Sequence, residues 1–435
     1  MTLGDNRHDA DALGLVKVPA ERLFGPQTAR AVENFPTADL SLRLAGFPVL
    51  IRCLIQIKLA AAEANFECGQ LTKRETRLIS RACRVILSWT DFSKEFPVHI
   101  LHGGGGTSAN MNANEVIANL ANLKLGKELG SYKPIHPLDQ VNRNQSTNDV
   151  YPSACRLAVA LKSEDLLVSL NRCTLALRTL STKFGETPRL ARTCLQDAVS
   201  SDFSRFFTAA SRVLERYSQR IAIRSKALCQ INLGGGVAGE SNASPPQFRR
   251  SALRKLKESF PQLPIRLTSH FADAAQNSDD FLEFAQSLEG LARVLIKQCS
   301  DMRILNSGPE WGFREIILPA VQPGSSAMPG KVNPVIPEFV IQSSFTAIGL
   351  LHACGLAIEH ADLDLNVWEG TFVYSSLVSI HLLLNALDVF SDRCLSALVV
   401  DEEVNREHSI SKTSRATEYA RKYSYSKALR SLDDA

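Results

Sequence analysis

Most of the last two thirds of the chain consists of long stretches without proline, in which apolar residues recur at helical spacing. An interior proline removes a helix hydrogen bond and costs about 3 kcal/mol, so these stretches mark candidate helices. They cover residues 153–187, 189–244, 265–308 and 338–435. The recurring apolar residues are Leu157, Leu161, Val168 and Leu175, then Leu288, Leu291, Leu295, Cys299 and Met302, then Val340, Ala347, Leu351, Cys354 and Ile358. Helices of this length have to bury their apolar sides against one another. The pattern therefore predicts a mainly α fold built on a long helical bundle.

Two parts with a different pattern flank this bundle. Residues 1–152 carry eight prolines and mixed apolar spacing, including a helix candidate from Pro48 to Ala64. After about residue 397 the chain becomes polar and charged. We therefore expect an N-terminal domain (1–152), a central long-helix bundle (153–396) and a small C-terminal helical segment (397–435).

Composition narrows the class of protein. Of the 435 residues, 45% are hydrophobic and 22% are charged, which is ordinary globular usage and excludes a disordered or fibrous chain. The formal charge is only +4, and the basic residues form no cluster, so no nucleic-acid partner is expected. The start of the chain lacks the apolar segment of a signal peptide, and polar residues interrupt Phe372–Phe390. These features predict a cytoplasmic protein with no membrane span.

Cysteine and histidine spacing gives no sign of a metal centre. The ten cysteines include no CxxC pair, so we expect reduced, mostly buried thiols. His99 with His102, and His352 with His360, lack nearby carboxylates in a metal-binding arrangement. We therefore expect neither a disulfide framework nor a metal site.

Two glycine motifs resemble nucleotide-binding loops but lack the required context. GGGVAG (234–239) fits the GxGxxG pattern, yet Pro245 and Pro246 interrupt the helix that should follow, so a turn between helices is the better interpretation. GSSAMPGK (324–331) has five residues between its glycines, where a P-loop has four, and Val332 stands where Ser or Thr should hold magnesium. Neither motif predicts nucleotide binding.

Segments rich in small neutral hydrogen-bond donors are the candidate chemistry. They are GGGGTSANMNANE (103–115), NRNQSTND (142–149), ARTCLQDA (191–198) and GSSAMPGKVNP (324–334). Hydroxyls, amides and backbone N–H groups, with the ammonium of Lys331, suit the binding of carboxylate oxygens, and they predict a small anionic ligand. Taken singly, such residues also cap helices and form turns.

The fourth of these segments carries the sharpest chemical hypothesis. Gly324 and Gly330 supply backbone freedom around two serines, which suits a loop that closes over a substrate. A serine would act as a general base only if Lys331 or N–H groups of the loop stabilised its deprotonated form. No GxSxG elbow or Ser-His-Asp arrangement makes it an acyl nucleophile instead.

The sequence GSSAMPGKVNP resembles the signature of the fumarase/aspartase superfamily, and the resemblance extends along nearly the whole chain. The other matching segments, in family order, are FGPQTARAVENF (24–35), GGGGTSANMNANEV (103–116), HPLDQVNRNQSTNDVYP (136–152), RTCLQDAV (192–199), NSGPEWGFREIILPAVQPGSSAMPGKVNPVIPE (306–338) and LDLNVWE (363–369). NPVIPE and LNVWE are closer to the aspartase form than to the fumarase form. The resemblance therefore implies an aspartate ammonia-lyase type of reaction, the reversible anti elimination of ammonia from L-aspartate to fumarate, without a metal or organic cofactor.

The same resemblance implies an architecture and a set of site residues. The fumarase/aspartase fold has a long central bundle flanked by smaller N-terminal and C-terminal domains, and it forms homotetramers whose sites are shared between three subunits. By resemblance, Ser325 is the base that removes the C3 proton. The carboxylate beside the carbanion is held by Thr107, Ser146, Thr147 and Ser326, the other carboxylate by Thr193, Lys331 and Asn333, and the leaving amino group by Asn148, with Ser108 and Cys194 also in the substrate site.

Some positions depart from the family pattern. Cys194 stands where relatives have His or Gln, Glu310 replaces an arginine, Gly370 replaces a proline, and GESN (239–242) replaces GTGxN. The family pattern also continues beyond Ala435, so the C-terminal domain is expected to be truncated. A fumarase, a lyase for another substituted succinate and an inactive scaffold therefore stay open as alternatives.

Overall fold

The computed structural model describes residues 6–433 of the chain. Its helices are α1 (Pro26–Asn34), α2 (Pro48–Glu67), α3 (Lys73–Leu87), α4 (Thr107–Leu123), α5 (Thr147–Lys183), α6 (Phe203–Ala227), α7 (Pro246–Ser259), α8 (Phe271–Gln276), α9 (Asp279–Leu305), α10 (Val335–Glu359), α11 (Glu369–Arg393), α12 (Glu402–His408), α13 (Lys412–Lys422) and α14 (Tyr425–Asp433). Its strands are β1 (Asn6–Asp11), β2 (Gly14–Pro19), β3 (Pro188–Thr193), β4 (Gln196–Asp202), β5 (Gln230–Ile231), β6 (Arg266–Leu267), β7 (Ile316–Ile317) and β8 (Val399–Val400). They pair as four two-stranded sheets, and only β5–β6 is parallel. The prediction of a mainly α fold is confirmed.

The long helices follow the proline pattern with one addition. Within residues 6–433, α5, α6, α9, α10 and α11 each span 25 residues or more. Three proline-free stretches each hold all or most of one of them, whereas the fourth holds most of α10 and all of α11; α5 begins ahead of Pro152 and α10 ahead of Pro337. The residues 360–368 separate this pair without any proline, which is why the sequence pattern did not divide it.

The apolar stripe predicted for α5 is partly wrong. Val168 and Leu175 are exposed, while Leu166, Leu170 and Cys173 form the buried side. The stripe predicted for α9 is correct, because its five apolar residues are all buried.

Helix α5 begins ahead of Pro152, not after it. The proline has no N–H to donate to the carbonyl oxygen of Asn148, four residues earlier. That oxygen instead accepts a hydrogen bond of 3.0 Å from the side-chain amide of Asn232. A distant side chain thus replaces the missing helix bond, and the helix continues through the proline.

The chain divides into two compact units. Unit 1 comprises the residues up to Glu164, Ile223–Gln286 and Leu350–Val378, and unit 2 comprises Asp165–Ala222, Ser287–Gly349 and the residues from Ser379 onward. Each of the five long helices has residues in both units. The domain boundaries predicted at residues 152 and 396 rest on a different criterion and stay predictions.

Unit 1 has a core of tightly packed helices. Helix α2 packs against α3 and α7, and its Leu50, Ile51 and Leu54 are fully buried. Helix α4 is buried along most of its length, including five asparagines and a glutamate, so many of its polar groups need partners inside the protein.

Unit 2 combines long-helix segments with the β3–β4 hairpin and the C-terminal helices. Leu288, Leu291 and Leu295 of α9 and Leu383 and Leu387 of α11 are fully buried in it. Helix α12 packs on β3, and α13 packs on β4. The sequence did not predict this hairpin, which lies inside one of the proline-free stretches.

Two helical segments are apolar enough to cross a membrane by length and composition alone. They are α10 and the stretch Glu369–Ala397, each with a mean hydropathy of 1.5 in its most apolar window. The protein itself buries 39% and 56% of those windows, and core helices of soluble proteins can pass the same test of length and composition. The expected absence of a membrane span stays a prediction.

Two glycines in the first donor-rich segment have left-handed backbones but different surroundings. Gly106 has a φ of 89°, and a Cβ added there would lie 2.1 Å from the buried ring of Tyr151. Gly104 has a φ of 83° with nothing within 4 Å of the added atom. Gly106 therefore requires glycine both for its backbone conformation and for lack of space, whereas Gly104 requires it for the backbone conformation alone.

This pair gives a matched test. We expect Gly104→Ala to lower the free energy of unfolding by about 1–2 kcal/mol through backbone strain. Gly106→Ala should lose clearly more, because the Tyr151 ring must also move. Urea unfolding followed by circular dichroism measures both variants, and equal losses would contradict the steric argument.

Candidate active site

The first donor-rich segment ends in the start of α4. Thr107 is the first residue of this helix, and its hydroxyl donates to the carbonyl of Gly104 at 2.8 Å. The Thr107 side chain is exposed and Ser108 is half-buried. Both predicted residues therefore lie at an accessible helix start.

The amide oxygen of Asn142 connects the first and second segments. Three donors meet on Asn142 Oδ1: Lys58 Nζ at 2.8 Å, Asn114 Nδ2 at 3.2 Å and Asn110 Nδ2 at 3.3 Å. Asn110 also donates to the hydroxyl of Thr147 at 2.9 Å. Unit 1 thus brings the α4 segment and the Thr147 segment together over a buried cation.

The ammonium group of Lys58 and the carboxylate of Asp149 are buried in the same region. Burial lowers the pKa of Lys58 to about 7, although the charge of Asp149 favours the ammonium. Burial likewise raises the pKa of Asp149, while N–H groups of Gly236, Ser146 and Gly234 and the charge of Lys58 favour its carboxylate. Each charge therefore depends on its polar surroundings to remain ionised.

The glycine-rich turn at 234–239 forms hydrogen bonds with the start of α5. The N–H groups of Gly234 and Gly236 donate to Asp149 Oδ2 at 3.2 and 2.9 Å. The carbonyl of Val237 accepts a 2.7 Å hydrogen bond from the Asn148 amide. This bond orients the Asn148 side chain with its oxygen as the atom that can accept from an ammonium group.

A cavity of about 440 Å³ lies at this place in unit 1. Its lining residues are Arg143, Asn144, Gln145, Ser146, Gly236, Val237, Glu240, Asn242 and Ala243. The GESN segment, which departs from the family pattern, therefore forms part of the wall beside Ser146.

Thr193 and Cys194 lie at the tip of the β3–β4 hairpin in unit 2. Thr193 pairs with Gln196, so Cys194 and Leu195 form a two-residue turn. Both turn residues have positive φ, 53° and 60°, although neither is glycine or asparagine. Strained backbone of this kind is typical of functional positions.

The predicted catalytic loop is a compact, self-bonded turn in unit 2. The Gly324 N–H donates to the Lys331 carbonyl at 2.7 Å, and the Asn333 amide donates to the Gly324 carbonyl at 2.8 Å. Ser326 and Lys331 are exposed, whereas Ser325 is half-buried. The amide nitrogen of Asn333 is thus engaged in holding the loop closed.

Two backbone donors converge on the predicted base. Ser325 Oγ accepts hydrogen bonds from the N–H groups of Ala327 at 3.1 Å and Met328 at 3.0 Å. Such donors favour an oxyanion at this atom, because they interact more strongly with negative charge than with a hydroxyl. The sequence analysis named Lys331 and N–H groups of the loop as the groups that could stabilise a deprotonated serine. The two N–H groups contact Ser325 Oγ.

The LDLNVWE segment lies next to the first donor-rich segment, because a Cβ added at Gly105 would be in contact with the Val367 side chain. Trp368 of the same segment donates to the carbonyl of His360 at 2.7 Å. Glu369 is almost fully buried, and burial raises the pKa of its carboxyl group to about 8.

Sequence reasoning missed several residues that hold this arrangement. Lys58 is one of two cations, with Arg52, in the apolar run Pro48–Ala64, and its place among apolar residues was the available signal. Asn110 and Asn114 were seen only as members of a donor-rich segment, although their spacing of four places them on one face of α4. Asp149 and Glu369 gave no sequence signal of burial.

Within residues 6–433, no group of three or more His, Cys, Asp and Glu side chains could hold a metal ion. The ten cysteines are free thiols; eight are buried, Cys68 is partly buried and Cys194 is exposed, as expected for mostly buried thiols.

Comparison with known proteins now decides the family. A family model described as Lyase matches residues 14–349. Aspartate ammonia-lyase from Pseudomonas fluorescens is 40% identical over 408 residues, covering 93% of this chain and 84% of that protein. Aspartate ammonia-lyase from Escherichia coli K12 is 35% identical over 400 residues, covering 92% of this chain and 83% of that protein. The chain belongs to the lyase family.

Solved structures of this family show the same fold. Fumarate lyase:delta crystallin from Brucella melitensis, in a crystal structure bound to cobalt, has a TM-score of 0.93 at 37% identity, over 98% of this chain and 92% of that one. Class II fumarase from Schistosoma mansoni has a TM-score of 0.90 at 27% identity, over 99% and 96% of the two chains. The resemblance to the fumarase/aspartase superfamily, its fold and the expected class, an ammonia-lyase type of lyase, are confirmed. The roles of the individual site residues stay predictions.

The buried carboxyl of Glu369 in this lyase predicts a pH-dependent difference in stability. Because the folded-state pKa is raised, wild-type protein loses stability as the pH rises from about 4.5 to about 8, at up to about 1.4 kcal/mol per pH unit. Glu369→Gln cannot ionise, so its stability relative to wild type should increase across that window and level off above it. Thermal unfolding at several pH values tests this, with the exposed Glu310→Gln as control. A difference independent of pH would show that Glu369 is not a buried neutral acid.

Proposed function

We propose that this lyase is an aspartate ammonia-lyase, which reversibly eliminates ammonia from L-aspartate to give fumarate. The observation that carries the proposal is the Ser325 hydroxyl with two backbone donors on its oxygen. Several relatives named aspartate ammonia-lyase, between 35% and 40% identical over more than nine tenths of the chain, support the same substrate.

The reaction needs a base, a carboxylate site and an acceptor for the amino group. In the proposed mechanism Ser325 Oγ, as an oxyanion held by the N–H groups of Ala327 and Met328, takes the C3 proton. The electron pair left on C3 spreads into the adjacent carboxylate, and then forms the double bond as the C2–N bond breaks and ammonia leaves. The donors around that carboxylate stabilise the transition state most, because its charge grows there.

The other groups have assigned places in this scheme. Ser146, Thr147, Thr107 and Ser326 bind the carboxylate beside C3, with Ser108 next to them at the start of α4. Thr193, Cys194, Lys331 and Asn333 surround the second carboxylate, and the oxygen of Asn148 accepts from the amino group. Neutral donors suit this ligand, since they bind two carboxylates without carrying repelling charges. The scheme requires no metal or organic cofactor.

We also propose a homotetramer in the cytoplasm, with each site shared between chains. The exposure of Thr107, Thr193 and the Ser326–Lys331 loop supports sharing, because a working site must exclude water from its donors. Exposed apolar residues on α10, such as Phe345 and Leu356, support its burial against other chains.

A substrate panel tests the reaction. Purified protein is mixed with L-aspartate, L-malate and other substituted succinates, and fumarate is followed by ultraviolet absorbance. We expect fumarate from L-aspartate, and a loss of about 10²–10⁴-fold in kcat for Ser325→Ala, because general-base catalysis contributes that much. Ser396→Ala, an exposed serine far along the sequence, serves as control.

The same panel distinguishes the alternatives. Turnover of malate alone would favour a fumarase, a possibility that the likeness to the class II fumarase keeps in view. Inactivity towards every substituted succinate would favour a scaffold. Activity surviving Ser325→Ala would reject the assigned base.

Mixing inactive variants tests the shared site. Thr147→Val and Ser325→Ala are each expected to be inactive alone. If the two segments of one site come from different chains, dissociation and random reassociation of equal amounts should restore about a quarter of wild-type sites. Recovery is measured by the fumarate assay on mixed tetramers. Absence of recovery would place both residues of each site in one chain.

A further inference from the structure

Glu315 is a buried carboxylate that the proposed mechanism does not use. It follows Arg314 at the start of the short strand β7 and its side chain has no exposed surface. Its carboxylate forms an ion pair with Arg192 through Oε1, and its Oε2 lies 3.8 Å from Arg189 Nε. Both arginines belong to β3, so Glu315 contacts the strand that leads to the Thr193–Cys194 turn at two positions.

The same residue also contacts the C-terminal helices. His408 Nδ1 of α12 lies 3.0 Å from Glu315 Oε1. The buried amide of Asn405 donates to the Glu315 carbonyl at 2.7 Å, and the Asp401 N–H donates to that carbonyl at 3.2 Å. Side chain and backbone of one residue thus connect α12 with the hairpin, all within unit 2.

The hairpin depends on such support. Its turn residues Cys194 and Leu195 both have a left-handed backbone, and the strand register shifts between Ala191 and Arg192. A two-stranded hairpin is marginally stable on its own, and strain at its tip persists only where the surroundings fix it. Arg192, directly beside Thr193, is fixed by Glu315 and stacks over Phe313 at 4.4 Å.

We propose that Glu315 is a positioning residue, which holds the Thr193–Cys194 turn in place for the second carboxylate of the substrate by tying β3 to helix α12. The role for substrate rests on the proposed function, whereas the tie itself does not. The C-terminal helices then act on the site through the hairpin, without touching substrate.

The first measurement is hydrogen exchange at the backbone amides of residues 190–199. We expect exchange to become several-fold faster in Glu315→Gln, because Arg189 and Arg192 lose the buried carboxylate, and the carboxylate that stays near Arg192 is the exposed Asp197 at 3.7 Å. His408→Ala removes a partner of Glu315 on α12, so it should also make exchange in the hairpin faster. This variant tests the proposal if Glu315→Gln does not fold. Glu310→Gln, an exposed glutamate on the same segment, should leave the hairpin unchanged. Peptides from α11 serve as the internal reference.

The second measurement separates positioning from general loss of structure. Because Thr193 is assigned to a carboxylate that is bound in both the ground state and the transition state, its displacement should raise KM about tenfold with kcat within about twofold. Binding of succinate measured by calorimetry should weaken in parallel, and it needs no turnover.

The outcomes are distinguishable. Unchanged hairpin exchange in folded Glu315→Gln and His408→Ala would overturn the inference. A fall in kcat with KM and succinate affinity unchanged would also overturn it. Faster exchange with weaker succinate binding, in a protein that turns over none of the substrates, would uphold the tie and reject the proposed function.

Discussion

Charged groups buried beneath the donor-rich segments are the constraint on which the rest of this lyase depends. In unit 1, Lys58 and Asp149 lie under the segments that carry Thr107 and Thr147, and amide groups and glycine N–H groups surround them. In unit 2, Glu315 does the same for the hairpin. Removing one partner of a buried ion pair such as Glu315–Arg192 costs about 3–5 kcal/mol, so this pair fixes the hairpin far more firmly than a surface contact would. Lys58 and Asp149 are held instead by hydrogen bonds with the Asn142 amide and with glycine N–H groups.

The groups proposed to face the substrate differ in kind from these buried charges. They are mostly hydroxyls, amides and backbone N–H groups, with the ammonium of Lys331, and none is a carboxylate, which would repel a substrate that carries carboxylates. Such groups are short and orient easily in many ways, and an active site needs them held within a fraction of an ångström. Ionic partners one layer below supply that rigidity. The loop of Ser325 achieves it differently, since its own backbone closes the turn and aims two N–H groups at one oxygen.

The sequence predicted the fold well where a single physical rule dominates. A long stretch without proline permits a long helix, and apolar residues at helical spacing favour one, so the five long helices lie largely within the stretches that this rule marked. The rule failed at Pro152, because Asn232 replaces the missing bond, and at the hairpin, because TCLQ lacks the Gly or Asn that signals a tight turn. The candidate site was predicted by its polar, glycine-rich segments. Lys58, Asp149 and Glu315 were not, since burial of a charge depends on residues far away in the chain.

The hydrogen bond from the Asn232 amide to the Asn148 carbonyl links two positions that are far apart in the chain. Because residue 152 is a proline, this carbonyl has no helix N–H to accept from, so Pro152 and Asn232, 80 positions apart, share one requirement. Replacing the proline by an ordinary helix former would bring a second donor to the carbonyl, whereas replacing Asn232 alone would leave the carbonyl with neither. The two positions are therefore coupled, and the loss of Asn232 should cost less in a protein that no longer carries Pro152.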